Sequence, residues 1–369
     1  MKILMLNYEY PPIGGGASNA TYYILKEFTK KNDLEIDLIT SSVSDFKIIN
    51  FSRNIKIHRL NIGKNGNLHF QSSKELLVYS WRAYWYIKKM IKKNRYDFIH
   101  AFFGIPCGYI AMKLDIPYIV SLRGSDVPFY NERFEKLDRL IFKRLSKKIW
   151  EKANAVITNS QGLKELALKT SPKQEIKVIY NGVDINEFMP IKKNKIGKSI
   201  VLISTGRLIQ RKGYKYLIEA LKGICDYKLQ LIGGGILKEE LEHSAKESNV
   251  NVEFFGNIEH KNIYKYLQKA DIFILPSLNE GMSNSILEAM ACGLPIIATN
   301  VGGNKEIING NGFIVSKGNI EELKTAILKY FNDKTLIIKH GINSRKLAEN
   351  MSWKSIADNY YKVYCECVE

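Results

Sequence analysis

The sequence predicts an α/β protein made of two open parallel sheets, each covered by helices on both faces. Three observations carry that expectation. Short apolar runs that read as buried strands alternate with helix-length segments along the whole chain. A polar, lysine-rich break at 189–198 separates two halves of similar size. In both halves glycines and charged residues gather just after the expected strands, which is where ligands bind in open α/β sheets.

The first strand is expected at 2–6. It runs into a turn holding Gly14, Gly15 and Gly16, and a helix follows over 18–29. A glycine-rich turn between strand and helix lets a ligand approach the backbone closely. It is not the dinucleotide fingerprint G-x-G-x-x-G, because Asn19 stands at the last position. Further strands are expected at 36–39, 55–60, 97–101, 118–122, 155–158 and 176–179. His100 and Arg123 stand at two of these strand ends, with Asp126 just beyond. A histidine so placed either faces a ligand or is packed and hydrogen-bonded within the protein, and the packed reading is preferred. Two basic stretches show helical spacing. Phe134, Leu137, Leu140, Ile141, Leu145 and Ile149 form one apolar stripe within 133–150, and 79–93 has similar character. Such helices either pack on their own sheet or attach peripherally to anionic lipid.

The second half opens with a strand at 199–204. Gly206, Arg207, Lys212 and Gly213 then form a loop before a helix over 214–221. Two cations bracketing a glycine loop suit a diphosphate leaving group; the alternative is a solvated basic loop. Strands at 228–232 and 252–255 end in Gly233–Gly235 and Gly256. After a strand at 271–275 come Glu280 and Gly281, then a helix starting near Ser285 and stopping at Gly293, with Pro295 just beyond. Glu280 and Glu288 frame this turn eight residues apart. The backbone of Gly281, Met282, Ser283 and Asn284 leads to the helix start, where the dipole favours an anion. Two acids beside a phosphate suit the hydroxyls that flank a phosphate in a nucleotide sugar. Ser285-x-x-Glu288 also fits a capping box, which would make Glu288 purely structural. A strand at 296–298, Gly302 and Gly303, a strand at 312–315 and terminal helices after 320 complete the chain.

Length and composition are consistent with this organisation. At 369 residues the chain accommodates two domains with full cores. A formal net charge of +18 favours anionic partners: nucleotides, nucleic acid or an acidic membrane surface. No nucleic-acid motif accompanies the charge, so nucleic acid is not an expected partner. No run approaches the 18 apolar residues of a membrane span, and Glu9 interrupts the short apolar start. The five cysteines form no C-x-x-C pair. The expected location is cytoplasmic, with peripheral attachment to the inner face of the membrane as an option.

E-x7-E from Glu280 to Glu288, followed by AMACGLPII, resembles the donor-site motif of the retaining group 1 glycosyl transferases with the GT-B fold. G-R-x4-K-G at 206–213 resembles that family's diphosphate motif, and NGVD at 181–184 its domain-closing turn. The resemblance covers nearly the whole chain and is strongest over 199–312. It implies two Rossmann-like domains facing across a cleft. Residues 1–185 would form the acceptor side, with the terminal helix 352–369 packing back on it, and 199–351 the nucleotide-sugar side. Arg207 and Lys212 would hold the diphosphate, Glu288 the ribose and Glu280 the sugar hydroxyls, with Gly256 by the base. Glu280, Arg207 and Lys212 would be the catalytic set. Gly15, Gly16, His100, Arg123 and Asp126 would face the acceptor. Relatives often read H-G-S-D where this chain has Arg123-Gly-Ser-Asp126, so that histidine's role is not carried over.

The implied reaction moves a sugar from a UDP- or GDP-sugar to a carbohydrate or lipid-linked acceptor in cell-surface polysaccharide or glycolipid synthesis. Attack is expected on the front face, because no enzymic nucleophile is evident. No cofactor and no metal are expected, since D-x-D is absent and the two cations stand in its place. The alternatives are a nucleotide-sugar epimerase of the same architecture and, on charge alone, a nucleic-acid-binding protein.

Overall fold

The computed structural model describes residues 1–64, 66, 68, 71–130, 141–191 and 197–368. The chain divides into two compact units, one of residues 1–181 with 353–369 and one of residues 182–352.

Among the described residues the first unit is built on eight strands: β1 (Lys2–Leu6), β2 (Glu35–Ser42), β3 (Lys47–Asn50), β4 (Ile55–Asn61), β5 (Phe98–Phe102), β6 (Tyr118–Leu122), β7 (Ala155–Thr158) and β8 (Lys177–Val178). Their spatial order is β3-β4-β2-β1-β5-β6-β7-β8. β1, β5 and β6 are almost wholly buried apolar runs, as central parallel strands require. β3 is the exception to the parallel expectation and pairs antiparallel with β4. Only a tight turn joins β3 to β4, so no crossover is available and a hairpin is the remaining geometry. Its exposed edge position explains why it lacks an apolar signature. The helix after the glycine turn spans Gly16–Phe28, starting two residues ahead of the expected Ser18. The last helix, Trp353–Val368, belongs to this unit and lies on the Gly16–Phe28 helix. Trp353 stacks on Tyr23 with centroids 5.6 Å apart, and Lys31 pairs with Asp358 at 2.9 Å.

The boundary falls after Asn181, ahead of the expected 185. Val183 N–H donates to the Met351 carbonyl, and one nitrogen of Arg345 donates to the carbonyls of Ile185, Phe188 and Ala291. That guanidinium binds the chain to the second unit before the lysine-rich stretch begins. Residues 192–196 of the expected linker lie outside the described residues.

The second unit has six parallel strands in the order β11-β10-β9-β12-β13-β14. They are β9 (Ile200–Thr205), β10 (Tyr227–Ile232), β11 (Val252–Gly256), β12 (Ile272–Leu275), β13 (Ile296–Thr299) and β14 (Gly312–Val315). From β9 the chain builds outward through β10 to β11, then returns to β12 on the other side. The strand order therefore reverses between β9 and β12, the kind of switch point beside which open α/β sheets bind ligands. Among the described residues no helix is long and apolar enough to cross a membrane.

Candidate functional site

The loops that follow β9, β12 and β13 meet at Glu280. After β9 a short turn, Gln210–Lys212, ends in Gly213 with φ +67°. A Cβ at Gly213 would enter the Pro276 carbonyl, so glycine is what lets the two loops touch. Leu278 N–H donates to the Arg211 carbonyl at 2.7 Å across the same seam. On the other side Gly302, with φ +52°, lies where a Cβ would enter the carbonyls of Glu280 and Gly281. Gly303 N–H donates to the Gly281 carbonyl at 2.6 Å.

The side chain of Glu280 is buried within this frame. Its Oε1 accepts from Lys212 Nζ at 2.6 Å and from the Ser277 hydroxyl at 2.7 Å. Burial opposes its charge, but Lys212 and Arg211 with these hydrogen bonds outweigh it and hold the carboxyl below the usual range. Arg207, in the same post-β9 loop, is exposed. Two residues expected to have separate roles, Lys212 and Glu280, thus form one buried ion pair.

Glu288 lies within the helix Asn284–Ala291. Its Oε1 meets His260 Nε2 at 2.8 Å. Burial disfavours the imidazolium, yet Glu288, with a smaller contribution from Glu187, raises the His260 pKa above its ordinary value. The capping box at Ser285 does not form. The helix starts one residue earlier, its N-cap is Ser283 with no side-chain cap bond, and Ser283 and Ser285 share a hydroxyl contact of 2.9 Å. Counted from Ser283, Glu288 stands two positions past the residue that could reach back to the N-cap. Gly281, Met282 and Ser283 are buried, and Asn284 is half-buried at the positive end of the helix. Gly256 ends β11 with φ +66° and open space where a Cβ would stand. Arg207, Lys212, Gly256, Glu280 to Asn284 and Glu288 therefore all follow the carboxyl ends of strands in one unit.

In the first unit Gly15 is the N-cap of the Gly16–Phe28 helix, and Gly15 and Gly16 are both exposed. Arg123 donates to the Asn181 side-chain oxygen at 3.0 Å and lies over the Phe102 ring. At His100 the preferred packed reading holds, and the acceptor-facing placement that the resemblance implies needs correcting there and at Asp126. His100 has no exposed surface; Tyr364 OH and Ser121 Oγ engage its two nitrogens at 2.7 and 2.8 Å. Burial, aided by Arg123, lowers its pKa to about 3, so it is a neutral packing group beneath the last helix and not an acceptor-facing one. Asp126 is buried too. It accepts from the backbone N–H groups of Gly104, Arg123 and Gly124, which makes it a brace for the loop. Of the expected basic helix, 133–140 lies outside the described residues. Lys143–Glu151 is helical, with Ile149 and Trp150 inward, while Ile141 is exposed.

Three residues around Glu280 and Glu288 were not anticipated: Ser277, Arg211 and His260. Arg211 lies within the 206–213 motif and Ser277 shortly before Glu280, whereas nothing local marks His260, 28 residues from its partner. Among the described residues no group of three or more His, Cys, Asp or Glu is arranged to hold a metal.

Two family models match the chain, glycosyl transferases group 1 over residues 185–352 and glycosyltransferase family 4 over residues 14–187. An uncharacterized glycosyltransferase of Methanocaldococcus jannaschii is 30% identical over 373 residues, covering 99% of this chain and 98% of its own. The chain belongs to the group 1 glycosyltransferases. A second relative of this glycosyltransferase is the Escherichia coli UDP-Gal:alpha-D-GlcNAc-diphosphoundecaprenol alpha-1,3-galactosyltransferase, 28% identical over 305 residues, 76% of this chain and 78% of that one. Sucrose-phosphate synthase from Thermosynechococcus elongatus superposes with a TM-score of 0.87 at 22% identity, covering 99% of this chain and 98% of that one. That likeness shows the fold, which is GT-B.

Proposed function

We propose that this glycosyltransferase moves a sugar from a UDP- or GDP-sugar to a hydroxyl of a lipid-linked or carbohydrate acceptor, with retention at the anomeric carbon. The observation that carries the reading is the buried Lys212–Glu280 pair where the post-β9 and post-β12 loops meet, at the switch point of the sheet. An ammonium has three donors, so Lys212 can keep Glu280 and still offer N–H groups to a diphosphate. Arg207 and Arg211 on the same loop add charge where the leaving group becomes more negative. Glu280, held ionised, accepts from sugar hydroxyls and faces a ring that turns cationic as its bond to phosphate breaks. Glu288, oriented by His260, accepts from the ribose.

The bond from the anomeric carbon to the donor phosphate breaks, and the acceptor oxygen bonds to the same face. The departing phosphate oxygen takes the acceptor proton, so neither a nucleophilic side chain nor a metal is required in this scheme. The E. coli relative, whose name specifies UDP-Gal and a diphosphoundecaprenol acceptor, supports a UDP-sugar and a lipid-linked acceptor. Such an acceptor would place the enzyme in the cytoplasm at the inner face of the membrane.

The test is incubation with UDP- and GDP-sugars and a polyprenyl-diphosphate sugar, with product read by mass spectrometry and anomeric configuration by NMR. A retained anomer formed equally well in EDTA is the expected result. An inverted anomer overturns the stereochemistry, and loss in EDTA restored by Mg²⁺ or Mn²⁺ overturns metal independence. Isomerised donor formed without acceptor would assign an epimerase instead.

A further inference from the structure

The helix Ser73–Met90 carries two apolar stripes, where a surface helix needs one. Tyr79, Ala83 and Ile87 form the inner stripe and are buried, with Tyr79 OH donating to the Ile39 carbonyl of β2 at 3.0 Å. Leu77, Trp81 and Trp85 recur at the same four-residue spacing on the outer side, where they are 71%, 65% and 53% exposed. Two indoles thus stand largely exposed one turn apart, with Trp85 edge-on to the neighbouring Tyr84 ring at 5.4 Å. Apart from Ser73, the exposed polar residues of the helix are cationic, namely Lys74, Arg82 and Lys89, and Lys92 and Lys93 follow the helix end. The one acidic residue of the helix, Glu75, accepts from Ser72 N–H at 2.7 Å and pairs with Lys64 at 3.2 Å. The 104–112 segment touches both this helix and the Lys143–Glu151 helix, whose Lys143, Arg144, Lys147 and Lys148 are exposed.

We propose that the Leu77–Trp81–Trp85 face of this helix docks on an anionic lipid bilayer and seats its two indoles among the headgroups. An indole has an apolar body and an N–H donor, the combination that favours the membrane–water interface. Around this face the exposed cations outnumber the acids, of which Glu75 is paired with Lys64 and Glu151 with Lys147, and such a rim is complementary to an anionic surface. The same rim disfavours a second copy as occupant, because two such faces would bring like charges together. Docking deepens the reading of a lipid-linked acceptor and takes its purpose from it, but vesicle binding is measured with neither donor nor acceptor present.

The experiment is flotation of the whole chain with phosphatidylcholine vesicles and with vesicles of equal phosphatidylcholine and phosphatidylglycerol, at low and high salt. Trp150 and Trp353 are buried, so quenching by brominated lipid reports on Trp81 and Trp85. Binding is expected only with the anionic vesicles, to weaken with salt and to be accompanied by quenching. Lysines near an anionic surface contribute about fivefold each, so Lys89→Glu/Lys92→Glu/Lys93→Glu should weaken binding on the order of 100-fold. Trp81→Ser/Trp85→Ser should weaken it roughly tenfold and abolish the blue shift on binding, with an unchanged melting temperature. UDP binding by calorimetry should be the same in wild type and both variants. Absence of UDP binding in all three would count against the proposed donor, not against docking. Absence of flotation with anionic vesicles, or flotation unaffected by either variant, overturns docking through this face. A stable dimer lost in Trp81→Ser/Trp85→Ser would assign the face to a second copy and likewise overturn it.

Discussion

Lys212→Met separates a structural role for the Lys212–Glu280 pair from a catalytic one. The two side chains are 12% and 8% exposed and 2.6 Å apart. Removing one member of a buried pair leaves the other charge uncompensated, at a cost of 3–5 kcal/mol. Arg211 remains near Glu280, so the lower end applies, about 3 kcal/mol, or roughly 6–12 °C in melting temperature for a unit of this size. Replacing both partners removes the stranded charge as well. Lys212→Met/Glu280→Gln should therefore return to within about 1 kcal/mol of wild type.

The sign with pH follows. In the wild type the Glu280 carboxyl is lowered, so its stabilisation is present above the unfolded carboxylate value near 4.3 and lost as pH falls through the folded value. In Lys212→Met burial prevails and the carboxyl rises, so the deficit is largest at neutral pH and narrows as Glu280 takes up a proton. Calorimetry at pH 7 and pH 4 measures both effects, and turnover of the chosen donor is measured alongside. If Lys212 also holds the diphosphate, the double variant regains stability but not turnover. A Lys212→Met protein as stable as wild type would refute the electrostatic argument, and a double variant that regains turnover would refute the diphosphate role.

Glu288→Ala should raise the donor KM on the order of 10- to 100-fold with kcat little changed, since it removes a charge-assisted bond to an unreacting part of the donor. Steady-state kinetics checks this, and a changed kcat at constant KM contradicts the ribose role. His260 is raised by Glu288, so its stabilisation is full below about pH 6.5 and lost as pH rises through the higher folded value. Melting temperatures from pH 6 to 8 should fall more for wild type than for His260→Gln, and parallel curves would remove the pair from the account. Gly302→Ala should destabilise by roughly 1–3 kcal/mol and weaken UDP binding, because the added methyl displaces the Glu280 loop and φ +52° strains the backbone. Urea unfolding and calorimetry read the two effects.

How much of this was legible beforehand depends on the range of the interaction. The strands were readable because a strand buried on both faces must be an apolar run, as Ile272–Leu275 and Ile296–Thr299 are. The site loops were readable because a turn that packs backbone on backbone must carry glycine, as Gly213 and Gly302 do. The edge strand Lys47–Asn50 is largely exposed and lacks that signature. Ser285-x-x-Glu288 gave a sound local pattern for a cap, but only the folded unit places His260 against Glu288 and starts the helix a residue earlier. The same holds for Lys212 with Glu280, 68 residues apart, and for His100 with Tyr364, 264 residues apart. The sequence by itself determined which residue types stand at the strand ends. Tertiary structure alone decided which of them share a charge and which lose their access to solvent, because hydrogen bonds and desolvation depend on neighbours brought by packing and not by the chain.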